Sequence, residues 1–249
     1  MSGDWPSGYG YLPLETVGST LDEARARFAE MAGPTWITAK VQTAARGRRG
    51  RAWANPAGNF AGTLVLPRVD PKQAGLRSFV TALALDEAFV AVTGRAEAFA
   101  LKWPNDVLLH GGKVAGILLE TITERGQIVG LAIGIGVNLA GAPQAGEVEA
   151  GAVAPVSLRG ETGVSISPED FLEQLAPAFA KWENQLVTYG FAPVRAAWLA
   201  RAARLGQVVT VRLPNETLSG TLHTVDEEGQ LVLSTSKGDR RIAAGDVFF

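Results

Sequence analysis

The sequence lacks several features that would point to common kinds of site. It has no cysteine, which excludes disulfides, thiolate zinc sites and cysteine nucleophiles. It has only two histidines, His110 and His223, and neither belongs to an HxH or HExxH pattern, so no histidine-rich metal centre is expected. The GxxxxGK[ST] motif is also missing, so the chain is not a P-loop enzyme.

Long apolar runs and a targeting segment are missing as well. No stretch approaches the roughly 18 consecutive apolar residues of a membrane span, and the start, MSGDWP, has no basic region followed by an apolar core. These absences predict a cytoplasmic protein without a membrane partner. The chain has 249 residues, 47% hydrophobic and 19% charged, which suits one substantial domain with a small appendage.

Positive charge is concentrated in one segment of a chain whose formal net charge is -2. Residues 46–51 (RGRRGR) contain four arginines and two glycines, and no acidic residue lies between residues 31 and 69. Because like charges repel, this arginine loop cannot fold compactly by itself, and we expect an anion to organise it. Local positive charge on an acidic chain favours a small polyanion in a pocket over a long polyanion across a surface.

Other interpretations of the arginine loop stay open from the residues alone. It could be a solvated basic loop, or it could bind RNA or DNA, although Trp53 is its only aromatic neighbour. The spacing Ala45-x-Gly47-x-x-Gly50 is similar to a dinucleotide fingerprint, but it lacks the first glycine and no helical pattern follows. We favour phosphate enclosed by guanidinium groups and by backbone N–H groups that the glycines expose.

Three further motifs follow in order. KWPND at residues 102–106 ends a strand with a proline and a polar turn, and alone it could be only a strand terminator. GKVAGIL at residues 112–118 places a lysine before a strand with an internal glycine, which often marks close approach by a ligand or another backbone. GIGVN at residues 134–138 is a strand with glycine at two alternate positions just before an asparagine.

Hydrophobic periodicity predicts alternating helices and strands. Helices are predicted from Thr20, taken as an N-cap, to about residue 32, and at 71–93, 168–189 and 191–203. Strands are predicted at 35–42, 60–66, 98–103, 113–122 and 127–139, with a loop at 142–165. From residue 206 five short strands predict a small barrel, so we place domains at 1–203 and 204–249.

Together these motifs, with Ser19-Thr20, Gln42 and Trp53, resemble the biotin protein ligase family from about residue 14 to the end. Ala45 replaces the first glycine of the family's GRGRRG loop. The resemblance implies an α+β fold: a mixed β-sheet catalytic domain with flanking helices, plus a small C-terminal SH3-like β-barrel. Longer members of the family carry an N-terminal DNA-binding domain. The 18 residues before Ser19 are too few for one, so no nucleic-acid partner is expected.

The resemblance implies a ligase that converts biotin and ATP, with Mg²⁺, into biotinyl-5′-AMP. Biotin then passes to a lysine of a biotin carboxyl carrier domain. A lipoate or octanoate ligase of the same superfamily is the alternative, and a nucleic-acid-binding module is the alternative from another class. The sequence does not say which carboxylase carrier is the partner, whether the protein forms a homodimer, or what the C-terminal barrel does.

The resemblance also implies a set of site residues. Lys113, Arg48 and Asp106 would be catalytic, with Lys113 bridging the biotin carboxylate and the phosphate, and Asp106 positioning or deprotonating the acceptor lysine. Ser19, Thr20 and Gln42 would bind the ureido ring, and Asn138 would read adenine. Biotin would be bound by Ser19, Thr20, Gln42, Arg46, Gly47, Arg48, Lys113 and Gly116. ATP and the adenylate would be bound by Arg46, Arg48, Arg51, Trp53, Asn105, Lys113 and Asn138. No metal ligands are expected from the protein.

Overall fold

The computed structural model describes residues 5–143 and 153–249. Over these residues the chain forms a seven-stranded sheet and a five-stranded sheet. The strands of the larger sheet are β1 Gly10–Val17, β2 Thr35–Gln42, β3 Phe60–Pro67, β4 Phe99–Lys102, β5 Asp106–Leu109, β6 Gly112–Glu124 and β7 Gln127–Val137. The α-helices are α1 Thr20–Ala26, α2 Arg77–Thr93, α3 Leu158–Thr162, α4 Pro168–Tyr189 and α5 Phe191–Leu199.

The larger sheet has the strand order β1-β2-β3-β7-β6-β5-β4. Strand β1 runs parallel to β2, and all other neighbours are antiparallel, which confirms the predicted mixed sheet. Two strands were not foreseen. Strand β1 contains Pro13, which weakens the strand pattern in the sequence but is tolerated because β1 lies at the edge of the sheet. Strand β5 begins at Asp106, the last residue of the KWPND motif, and has only four residues.

The two faces of the larger sheet have different coverings. In residues 115–119 of β6 and 131–137 of β7, the odd-numbered positions, including Ile117 and Ile133, face the main core, where α2 and α4 pack. Even-numbered residues such as Ile122 and Ala132 face the opposite side, where the short helix α1 packs through Leu21. Because α1 has only seven residues, it leaves part of this second face uncovered. The candidate site lies there.

The helix boundaries differ from the predictions at several ends. The N-cap of α1 is Ser19 and not Thr20, since Ser19 Oγ accepts a hydrogen bond from the backbone N–H of Leu21 at 3.2 Å. Helix α1 ends at Ala26, so the predicted extension to residue 32 is wrong; a 3₁₀ turn, Phe28–Glu30, occupies part of that range. In the predicted helix 71–93, the first six residues form a 3₁₀ helix before α2 begins.

The predicted loop at 142–165 contains the short helix α3, capped by Ser157. Residues 144–152 of that loop lie outside the described residues. Within the described ranges, no helix is both long and apolar enough to cross a membrane.

The smaller sheet contains β8 Val208–Arg212, β9 Thr217–Val225, β10 Leu231–Thr235, β11 Gly238–Ile242 and β12 Asp246–Phe248. Its order is β11-β10-β9-β8-β12, and every pair is antiparallel, consistent with an SH3-like fold. It is joined to the elements around the larger sheet by side-chain hydrogen bonds. Trp103 Nε1 donates to the carbonyl of Gly229 at 3.1 Å, and Arg195 Nε donates to the carbonyl of Val225.

Candidate active site

A cavity of about 560 Å³ lies between the uncovered sheet face, the arginine loop and the end of the smaller sheet. Every site residue implied by the sequence lines it: Ser19, Thr20, Gln42, Arg46, Gly47, Arg48, Arg51, Trp53, Asn105, Asp106, Lys113, Gly116 and Asn138. The fold therefore brings all of these residues to one place. The cavity is also lined by Lys102 and by all three residues of β12.

The floor of the cavity is a patch of bare backbone on β6 and β7. Gly116 and Gly136 are partners in the register of these strands, and the indole of Trp53 packs over both. A Cβ on Gly136 would lie 2.5 Å from Cε2 of Trp53, and one on Gly116 would lie 3.1 Å from its Cζ3. Gly136 must therefore be glycine if the ring is to lie here, whereas a Cβ on Gly116 would require only a small shift of the ring. The buried indole N–H finds no acceptor within the described part of the chain.

One end of the cavity is a hydrogen-bonded polar cluster. The backbone N–H of Thr20 donates to Oε1 of Gln42 at 2.7 Å, and its hydroxyl lies 3.1 Å from the same oxygen. Thr63 on β3 donates its hydroxyl hydrogen to Oγ1 of Thr20 at 2.8 Å. Thr63 was missed because β3 reads as an ordinary apolar strand. This chain of bonds fixes the Gln42 amide at the cavity wall.

At the opposite side two lysines flank one buried carboxylate. Lys113 Nζ lies 2.7 Å from Oδ1 of Asp106, and Lys102 Nζ lies 3.7 Å from Oδ2. Burial alone would raise the pKa of Asp106, but the nearby ammonium groups of Lys113 and Lys102 together hold that pKa below its ordinary value. Burial lowers the pKa of Lys102. Asp106 is therefore ionised at neutral pH and is a weak proton acceptor, which favours a positioning role over deprotonation.

The first arginine of the loop is bound by carboxylates of the catalytic domain. Arg46 donates to both oxygens of Asp22, each at 2.9 Å, and to both oxygens of Glu120, at 3.2 and 3.1 Å. The hydrogen bond to Asp22 is the main reason why the pKa of the Arg46 guanidinium is raised. The sequence predicted that an anion must organise this loop. The anions found here belong to the protein, which the sequence analysis did not foresee.

The other three arginines converge on Asp246 of β12. Its carboxylate lies 2.6 Å from Arg49 Nη1 and 3.4 Å from both Arg48 Nη1 and Arg51 Nη2. Arg48 also donates to Oδ1 of Asn105 at 3.3 Å. Asp246 was missed because 197 positions separate it from Arg49, and no local pattern in the sequence links the two.

The two asparagines predicted to contact the nucleotide hold backbone segments in place. Nδ2 of Asn138 donates to the carbonyl of Val156 at 3.0 Å, and the residue is 2% exposed. Nδ2 of Asn105 donates to the carbonyl of Ile117 at 2.6 Å, which leaves its Oδ1 facing Arg48. Both line the cavity, so contact with adenine or phosphate stays a prediction for them.

Comparison with known proteins agrees with this geometry. Residues 12–138 match the Biotin/lipoate A/B protein ligase family, and residues 205–249 match the Biotin protein ligase C terminal domain. The chain is 53% identical over 237 residues to the biotin–[acetyl-CoA-carboxylase] ligase of Paracoccus denitrificans, covering 95% of this chain and 99% of the relative.

Two solved structures share the fold. Biotin protein ligase from Aquifex aeolicus, in complex with biotin and ATP, has a TM-score of 0.81 at 24% identity, covering 96% of this chain and 97% of the other. The Leishmania major enzyme, in complex with biotinyl-5-AMP, has a TM-score of 0.60 at 27% identity, covering 96% and 100%. With a family match over both of its domains and a relative of similar length at 53% identity, the chain belongs to the biotin protein ligases.

Proposed function

We propose that this chain activates biotin with ATP to give biotinyl-5′-AMP and pyrophosphate, and then transfers biotin to a lysine of a biotin carboxyl carrier domain. The observation that carries the proposal is one cavity with three different sides: a bare glycine floor under an indole, a hydrogen-bonding end and a cationic side. Biotin adenylate likewise has an apolar part, a ureido ring and a phosphate. The named Paracoccus relative and the Leishmania complex with biotinyl-5-AMP support this.

Biotin would lie with its ureido ring at the polar end of the cavity and its apolar chain across the floor. Ser19, Thr20 and Gln42 would supply hydrogen bonds, since a ureido group offers both donors and an acceptor. Trp53 and the glycine floor would enclose the apolar chain. This orientation directs the carboxylate of biotin toward Lys113.

In the first step an oxygen of the biotin carboxylate attacks the α-phosphorus of ATP, and the bond from that phosphorus to the pyrophosphate oxygen breaks. The reaction needs positive charge held in place more than it needs a covalent group from the protein. Lys113 would supply it, and its ion pair with Asp106 already fixes the ammonium. Arg48 and Arg51 would contact the phosphates. Arg46 also lines the cavity, but its four bonds to carboxylates suit it to anchor the loop.

In the second step the acceptor lysine attacks the carbonyl carbon of the adenylate. The amide bond forms, the bond from carbon to the phosphate oxygen breaks, and AMP leaves with its electron pair. Asp106 would hold the incoming amine by its charge. Since its pKa is lowered, it would be only a weak acceptor for the proton that the amine loses.

Mg²⁺ belongs to the proposal as the cation that accompanies ATP. The protein offers it no obvious ligands of its own, since residues 5–143 and 153–249 contain no cluster of His, Cys, Asp and Glu able to hold a metal ion. Any Mg²⁺ at this site would be held mainly through phosphate oxygens, whose charge it neutralises.

The proposal also covers the partner and the location of the protein. A carboxylase carrier domain is proposed from the name of the Paracoccus relative, and a cytoplasmic location is proposed from the sequence. A nucleic-acid module is disfavoured because the arginines it would use lie against carboxylates around a small cavity. Lipoate transfer is disfavoured because the smaller sheet matches the biotin protein ligase C-terminal domain.

Incubation of the protein with a purified carrier domain, Mg-ATP and either biotin or lipoate tests this proposal. Mass spectrometry should show one biotin on one lysine of the carrier, with AMP and pyrophosphate as products. A carrier variant with that lysine changed to arginine is the control. Transfer of lipoate with no transfer of biotin would disprove the proposed substrate.

A further inference from the structure

We propose that Arg49 and Asp246 form a tether between the arginine loop and the smaller sheet, and that this tether keeps the loop closed over the reaction intermediate. The inference rests on the proposed role of the loop as the phosphate-binding lid. It goes beyond that role because it gives the smaller sheet a task in the reaction: Arg49 and Asp246 would be positioning residues that act by holding the loop, and of the two only Asp246 also lines the cavity.

The three arginines around Asp246 are not equivalent. Arg49 makes the short contact, at 2.6 Å, whereas Arg48 and Arg51 each lie at 3.4 Å. Arg48 and Arg51 line the cavity, and Arg49 does not. A phosphate in the cavity could therefore bind Arg48 and Arg51 while the contact between Arg49 and Asp246 remains.

The backbone at Arg49 is consistent with this separation. Its φ is 58°, in the left-handed region that residues other than glycine rarely adopt, while Arg48 before it belongs to the same single 3₁₀ turn. Arg48 lines the cavity, donates to Asn105 there and also donates to the carbonyl of Gly245 next to β12 at 3.2 Å. Arg49 contacts Asp246 from outside the cavity lining.

The electrostatics indicate how the tether could survive ligand binding. Asp246 is largely buried, with 14% of its side chain exposed, so its charge is less screened than that of a surface carboxylate. It is a single negative charge beside three positive ones. When phosphate enters, Arg48 and Arg51 can turn toward it while Arg49 stays on Asp246. The opposite possibility is that Asp246 merely competes with phosphate for the arginines, and its removal would then tighten nucleotide binding.

The variants Arg49→Gln, Asp246→Asn and the double variant test the tether. Each is compared with Glu216→Gln, which removes one carboxylate charge from a pair with Arg240, at 2.8 Å, in the same sheet. The first readout is limited trypsin cleavage of the ligand-free protein after Arg48 and Arg51, sites that all variants keep. Trypsin should cut both single variants at least about fivefold faster than wild type. It should cut the double variant no faster than the more rapidly cut single variant. Glu216→Gln should be cut at the wild-type rate.

The second readout is release of preformed biotinyl-AMP, followed by labelling of lysines on a bystander protein. The release rate and the bystander labelling should each rise about fivefold in both single variants. Cleavage within twofold of wild type, additive effects in the double variant, or tighter ATP binding in Asp246→Asn would each overturn the tether. Faster cleavage with unchanged release would overturn its role in retaining the intermediate. Failure of the wild type to form any adenylate would instead disprove the proposed function. Should Asp246→Asn unfold, Arg49→Gln carries the test, since Arg49 is 43% exposed.

Discussion

The floor of the cavity and the arginine loop above it are built in opposite ways. The floor is regular sheet, where the strand register sets Gly116 opposite Gly136 and the ring of Trp53 fills the space that their missing side chains leave. The loop has no such frame, and its arginines are placed by carboxylates on α1, β6 and β12. The apolar half of the site is therefore fixed by local backbone geometry, whereas the charged half depends on long-range ion pairs that salt and pH can weaken.

The largest effect should come from Lys113→Ala, because Lys113 is a charged group that stands on the rigid floor strand. We expect kcat for adenylate formation to fall by about 100-fold, on the scale of a lost electrostatic stabiliser, with a much smaller loss of biotin affinity. Pyrophosphate release and biotin titration measure the two quantities. Lys237→Ala, in a turn of the smaller sheet, is the control. Near-normal pyrophosphate release would show that the catalytic charge lies elsewhere in the site.

A smaller effect is expected from Gly136→Ala, which disturbs the floor without changing any charge. The new Cβ would lie 2.5 Å from Cε2 of Trp53, so the ring must move. Overpacking of this kind costs about 1–3 kcal/mol, so biotin should bind roughly tenfold more weakly. Calorimetry with biotin measures this. Gly75→Ala is the matched control, since a Cβ there meets nothing within 4 Å. Unchanged affinity would mean that biotin binding does not depend on the position of Trp53.

The third prediction concerns stability and pH, and it tests the charged half through Asp106→Asn. The folded-state pKa of Asp106 is lowered, against an unfolded value of about 3.9. Its ionised form therefore contributes stability that is present above that unfolded value and is lost as pH falls through the lower folded value. At pH 7 the variant should be less stable by about 1–3 kcal/mol, because two ammonium groups lose their partner.

On acidification below about pH 4, the unfolding free energy of wild type should fall more steeply than that of Asp106→Asn. Denaturant unfolding at pH 7, 4 and 3 measures both slopes. Asp239→Asn, an exposed carboxylate of the smaller sheet, is the control. Parallel slopes in wild type and Asp106→Asn would show that Asp106 keeps an ordinary pKa.

The same contrast explains what the sequence could predict. Gly134 and Gly136 stand at alternate positions of an apolar strand, so their common face follows from a period of two residues. The indole of Trp53 packs against that face. Lys113 does not follow this period, because the pairing of β5 with β6 shifts register beside it, between Val107 and Leu108. The mixed sheet was expected from the family resemblance, and the separate small sheet from the five short strands that follow residue 206.

The ion pairs could not be predicted in this way. Asp22 lies on a helix and Glu120 on a strand, and the sequence pattern of neither element indicates a contact with Arg46. Asp246 is 197 positions from Arg49. Charges so far apart along the chain become neighbours only through the tertiary fold. Strand β1 escaped prediction for a different reason, because Pro13 breaks the pattern that an interior strand would show.

The position of β12 along the chain has a consequence for the newly made protein. Domains fold largely as units during synthesis, with the N-terminal one first. All strands of the catalytic sheet precede β12, so that sheet can form while the ribosome is still adding the smaller one. A nascent chain would then have its glycine floor and Lys113 in place before Asp246 can reach the arginine loop. The growing polypeptide would thus acquire its hold on the reactive intermediate later than the floor and the lysine of the site.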